Sequence, residues 1–116
     1  MDIIVSASLL ACDFSNLAFE IKRAEDAGVD WIHYDVMDGM FVPSISFGLP
    51  VIRSIRPCTD RIFDVHLMIE EPGRYIEDFV GAGADLITVH AESCKHLDRT
   101  IDSIKERGIL AGVALN

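Results

Sequence analysis

The sequence predicts an α/β fold, half of a (β/α)8 barrel made of four βα units and a fifth strand. Three observations predict it. First, β-rich runs of Val, Ile and Leu alternate with segments whose apolar residues recur every three or four positions. Second, three helix-to-strand joints resemble one another: Asp26-Ala27-Gly28-Val29-Asp30, Gly81-Ala82-Gly83-Ala84-Asp85 and Glu106-Arg107-Gly108-Ile109-Leu110. They space the chain as a βα repeat of roughly 23 to 33 residues. Third, polar side chains stand at successive strand ends, where barrels of this kind build their sites. A doubly wound sheet is the other way to close such a repeat. The first loop, however, lacks a GxGxxG or Walker glycine run, which weakens that option. Eight units need about 200 residues or more, so residues 1–116 read as the N-terminal half of a barrel.

Taken in order, Ile3 to Leu10 is the first β-rich run, with Ile4, Ser6 and Ser8 on one face. A helix follows on Leu17, Ile21 and Ala24, with Ser15 as its expected N-cap and Gly28 just past its end. Val29 to Val36 is the second strand. Ser44 to Leu49 is a loop, and Pro50 opens a short helix that runs through Ile55 and is closed by Pro57. Arg61 to Met68 is the third strand. A helix beginning at Glu70-Glu71-Pro72 carries Tyr75, Ile76, Phe79 and Val80 on one side and stops at Gly81-Ala82-Gly83. Asp85 to His90 is the fourth strand. Leu97, Ile101 and Ile104 stripe the fourth helix, Gly108 caps it, and Ile109 to Leu115 starts the fifth strand. The strands are apolar runs rather than strict alternations, which predicts burial on both faces.

Composition narrows the function. Half the residues are hydrophobic and a quarter charged, as in ordinary globular proteins. The net charge of −9 argues against a nucleic-acid partner and against anionic membrane surfaces. No apolar run approaches the ~18 residues of a spanning helix, and Met-Asp-Ile-Ile-Val lacks the basic start of a signal peptide. Cys12, Cys58 and Cys94 are odd in number and far apart, so they read as free thiols of a reducing cytoplasm.

The chemistry concentrates in Trp31-Ile32-His33-Tyr34-Asp35-Val36-Met37-Asp38-Gly39. His33, Asp35 and Met37 follow at a spacing of two, so one strand face presents an imidazole, a carboxylate and a thioether in a row. His66 and Met68 repeat the pattern on the next strand. Neutral imidazole nitrogen and carboxylate oxygen together suit a divalent transition metal, and three protein ligands with an open position make a catalytic site. His33, Asp35 and His66 are therefore candidate ligands. Asp35 is also a candidate general base for a carbon-bound proton beside a metal-polarised carbonyl. The plainer alternatives are a hydrogen-bonded core histidine, core-filling Met37 and Met68, and a strand-capping Ser8. Asp38 is the preferred carboxylate for holding the Gly39 loop. His90 is a strand-end candidate without a partner, and His96 reads as a surface residue of the fourth helix.

These motifs resemble a known family. Ser6-Ala7-Ser8-Leu9-Leu10-Ala11, His33-Tyr34-Asp35-Val36-Met37-Asp38-Gly39 and Phe41-Val42-Pro43 resemble the ribulose-phosphate 3-epimerases. Asp64-Val65-His66-Leu67-Met68 with Pro72, Thr88-Val89-His90-Ala91-Glu92 and Gly112-Val113-Ala114-Leu115-Asn116 fit the same family, in order. The resemblance implies a TIM barrel that interconverts D-ribulose 5-phosphate and D-xylulose 5-phosphate through an enediolate. It implies a divalent metal, zinc above all, with iron, manganese and cobalt as alternatives, held by two His and two Asp. By resemblance, His33 and His66 are metal ligands, Asp35 is ligand and acid/base, Ser8 and His66 contact substrate, and Met37 and Met68 flank the intermediate. The family's second catalytic Asp and its phosphate-binding loops belong to later strands. An impaired activity and self-association of the open edges into a homo-oligomer are the corresponding expectations. Competing readings are an epimerase for another phosphosugar such as allulose 6-phosphate, a non-catalytic half-barrel module, and a related metal-free barrel enzyme.

Overall fold

The computed structural model describes residues 2–116. Five parallel strands pair strictly in sequence order: β1 (Ser6–Ser8), β2 (Trp31–Met37), β3 (Ile62–Met68), β4 (Leu86–His90) and β5 (Leu110–Ala114). Between them lie α1 (Leu17–Asp26), α2 (Leu49–Ile55), α3 (Ile76–Ala82) and α4 (Leu97–Glu106). A doubly wound sheet reverses its strand order at a switch point. This sheet does not, and its progression is that of a barrel wall.

One face of the sheet is covered and the other is open. Ile32, Tyr34 and Val36 of β2, Phe63, Val65 and Leu67 of β3, and Ile87 and Val89 of β4 are buried. They form one core with Ile21 of α1, Ile52 and Ile55 of α2, Ile76 and Phe79 of α3, and Ile104 of α4. Each such side chain stabilises the fold by about 1.5–3 kcal/mol when fully buried. The alternate residues of β2, Trp31, His33, Asp35 and Met37, are only half-buried. The expectation of burial on both faces therefore fails for β2, because helices cover a single side of the sheet. The inner face is left to polar chemistry.

The boundaries move for local reasons. β1 is three residues where eight were expected. It is an edge strand with β2 as its single neighbour, and Ile3, Ile4 and Val5 are exposed. Asp13, not Ser15, caps the first helical turn, accepting from the Ser15 N–H at 3.0 Å. A 3₁₀ turn at Pro72–Arg74 precedes α3, which starts only at Ile76. Gly83, with φ +119°, ends α3, while Gly81 lies within it.

Candidate active site

β2 and β3 run in full register, pairing His33 with Asp64, Asp35 with His66 and Met37 with Met68. All six share the parity of the open face, so the spacing of two on each strand becomes a two-strand array. The centre is Asp35. Its Oδ1 lies 3.0 Å from His33 Nε2 and 3.3 Å from His66 Nδ1. Its Oδ2 accepts a 2.7 Å hydrogen bond from Ser8 Oγ. The main chain of Asp35 is fixed as well: Ser46 Oγ donates to its carbonyl and accepts from the Met37 N–H. Nitrogen and oxygen atoms of His33, Asp35 and His66 lie within 4.8 Å of one another, close enough to share one ion.

His33 is held from behind. Its Nδ1 is 2.7 Å from Asp64 Oδ2, which also accepts from Ser6 Oγ at 2.8 Å. Burial works to raise the Asp64 carboxyl, but the hydrogen bonds from His33 and Ser6 and the neighbouring imidazole charges bring it below the usual range. An ionised Asp64 can only accept, so Nδ1 of His33 carries a proton and Nε2 faces Asp35. The Asp64 hydrogen bond in turn raises His33, against the opposing effect of burial. His66 moves the other way, lowered first by burial and then by the proximity of His90.

Each residue expected in the site can now be placed. His33, Asp35 and His66 come together as ligand candidates. Ser8 reaches Asp35 and also accepts from the Leu10 N–H at 3.2 Å, so it both holds the carboxylate and caps its strand. Met37 and Met68 sit side by side in register, one step beyond the Asp35–His66 pair. Asp38 is the loop carboxylate: it accepts from the Met40, Phe41 and Glu70 N–H groups. His96 is exposed, and stands just before α4 rather than within it.

Sequence reasoning missed Asp64 and undervalued His90. Asp64 stands two before His66 on the same face, so the rule that found the other residues also reaches it. Spacing alone leaves His90 without a partner, yet its Nε2 is 2.8 Å from His66 Nε2 and its Nδ1 is 3.6 Å from the Glu92 carboxylate. Phe41 packs against its ring at a centroid distance of 5.1 Å.

A wall of parallel βα units that gathers histidines and carboxylates where its strands end, with helices on the outer side alone, is the build of a (β/α)8-barrel enzyme. Solved structures share the fold at low identity. They include N-succinyl Arg/Lys racemase from Bacillus cereus (TM-score 0.72, 16% identity, 99% of this chain and 30% of that one). A Yersinia pestis DHPS is similar (TM-score 0.68, 16% identity, 95% of this chain and 42% of that one). Residues 4–116 match the ribulose-phosphate 3 epimerase family, and the chain belongs to it. It is 57% identical to the ribulose-phosphate 3-epimerase of Bacillus subtilis over 97% of this chain and 52% of that protein. It is 53% identical to that of Synechocystis, over 99% and 51%. The chloroplastic ribulose-5-phosphate-3-epimerase of Arabidopsis thaliana is also 53% identical, over 99% of this chain and 42% of that protein. The chain thus spans about half the length of the curated relatives it matches.

Proposed function

We propose that residues 1–116 supply the N-terminal half of a metal-dependent site that epimerises D-ribulose 5-phosphate at C3 to D-xylulose 5-phosphate. The observation that carries the reading is the convergence of two imidazole nitrogens on one carboxylate oxygen, at 3.0 and 3.3 Å, in a chain of this family. Two nitrogens and an oxygen suit zinc first, with iron, manganese or cobalt as alternatives. His33 is anchored through its far nitrogen to a carboxylate, as metal-bound histidines commonly are. A divalent ion held there would polarise the substrate carbonyl and make the neighbouring C–H proton easier to remove.

The chain's own residues do the rest. Asp35 takes and returns the C3 proton on one face, as the sugar passes through an enediolate. Ser8 steers that carboxylate and shares its hydroxyl with the substrate. His66 borders the sugar, and Met37 with Met68 forms an apolar wall that keeps water from the reacting carbon. Inversion needs a second proton donor on the opposite face. Asp64 does not fill that role, because His33 and Ser6 occupy its Oδ2. The reading is therefore proton exchange at C3 with slow net epimerisation by this chain alone, as a homo-oligomer in a cytoplasmic setting that keeps its three cysteines free.

The test follows deuterium at C3 of ribulose 5-phosphate by NMR in D2O with zinc or manganese added. Wash-in is expected, and Asp35→Asn should slow it by roughly 100-fold or more. Exchange that survives both Asp35→Asn and chelation would sink the proposal.

A further inference from the structure

His90 is 6% exposed, and its Nδ1 is buried with no hydrogen-bond partner among the described residues. Burying such an atom unsatisfied is costly, so its surroundings bear on what it does. The other ring nitrogen, Nε2, is 2.8 Å from His66 Nε2. The two rings are inclined by only 22° with centroids 4.9 Å apart, so they meet edge to edge with the nitrogens in line. Behind His90, the Glu92 carboxylate lies 3.6 Å from Nδ1. The main-chain N–H of Asn116 holds the other Glu92 oxygen at 2.6 Å. Ser93 Oγ donates to the His90 carbonyl at 3.0 Å and fixes the turn that carries all three groups.

We infer that Glu92 and His90 are positioning residues that set the tautomer and ring orientation of His66 for metal binding. The inference rests on the proposed ligand role of His66. The logic is one of donors and acceptors. For His66 to offer its Nδ1 lone pair beside Asp35, the proton of its neutral ring must sit on Nε2. That N–H points at His90 Nε2, which must then accept. His90 is left with its proton on Nδ1, facing an acceptor-only carboxylate. With the chain polarised the other way, two lone pairs would face each other at Glu92 and the His66 lone pair would point away from Asp35. Glu92 therefore selects the direction that leaves Nδ1 of His66 open. The arrangement mirrors Asp64 behind His33, with an extra imidazole inserted between carboxylate and ligand.

The experiment measures zinc affinity by competition with a chromogenic chelator for the 116-residue chain and its variants. Histidine tautomers in the zinc-loaded, 15N-labelled chain are read by long-range 1H–15N NMR. His90→Phe removes the acceptor and should weaken zinc by roughly ten- to a hundredfold. Glu92→Gln should weaken it less. His90→Gln, whose amide oxygen can accept in place of the ring nitrogen, should recover most of the loss, which a merely structural defect would not show. The spectra should place the proton of His66 on Nε2 and that of His90 on Nδ1. Unchanged affinity in His90→Phe and Glu92→Gln, or a His90 proton on Nε2, overturns the inference and leaves the metal site standing. Zinc binding that survives His66→Ala undiminished overturns both.

Discussion

At the scale of single residues, the two histidines of the cluster are tuned in opposite directions, and that has a consequence for pH. The Asp64 hydrogen bond raises His33. A raised folded-state value gives a contribution to stability that is complete below the unfolded value, about 6.5, and is lost as pH rises through the folded one. Burial lowers His66, so its contribution is present above about 6.5 and is lost as pH falls through its folded value. The His66 slope therefore lies below about pH 6.5 and the His33 slope above it, so the chelated wild-type chain should be most stable near pH 6.5. Asp64→Asn removes what raises His33, so the melting temperature of that variant should climb up to about pH 6.5 and lose the fall above it. His66→Gln leaves His33 alone, so its melting temperature should lack the climb and keep the fall above about pH 6.5. Circular dichroism melts across the range, with chelator present, check both. Equal pH dependence in all three proteins would mean that the Asp64–His33 contact is not populated in solution.

At the scale of elements, the sequence reveals what lies along one strand and hides what lies across strands. His33, Asp35 and His66 were legible because a period of two puts them on one face. Asp64 obeys the same period, but its duty depends on the register that sets it opposite His33, which no single strand displays. Ser46 was hidden for a similar reason, since it reaches Asp35 and Met37 from nine to eleven residues away. The His90–Glu92 pair escaped the spacing argument because Glu92 lies in a 3₁₀ turn beyond the strand. Gly28 and Gly108 were legible as the glycines that end α1 and α4, but at α3 the choice between Gly81 and Gly83 was not. Gly83 ends α3, at φ +119°, and a Cβ there would run into Arg56. That arginine fastens the strand ends opposite the site: it donates to the Gly83, Thr59 and Arg61 carbonyls, pairs with Asp85 at 3.0 Å and lies 3.6 Å over the Phe63 ring. Gly83→Ala should therefore cost about 2 kcal/mol of stability in urea denaturation, from the forbidden backbone region and the displaced arginine. Zinc affinity should be unchanged, because the strained position is at the far end of the strands.

At the scale of the whole molecule, the sheet formed by the described residues has β1 and β5 as its edge strands. β1 offers three residues of unpaired backbone and β5 offers five. An exposed edge is a template for another strand, and the longer one presents more groups to pair. It also carries apolar side chains on both faces: Leu110, 57% exposed on the site side, and Val113, 47% exposed on the helix side. Thr88 and Gly112 approach so closely that a Cβ on Gly112 would meet Thr88, so β5 is drawn tightly onto the sheet instead of fraying from it. An apolar edge with unpaired backbone favours association over exposure. The chain should therefore self-associate through β5 as its concentration rises, with sedimentation velocity giving an average mass above that of the 12.8 kDa monomer. Leu110→Lys combined with Val113→Lys places charge on both faces of that edge and should return the protein to a monomer. The ligand cluster lies on β2 and β3, so zinc affinity should survive the double substitution. A wild-type chain that stays monomeric at about 100 μM would show that β5 is not used in this way, since non-specific edge pairing is strongest at high concentration.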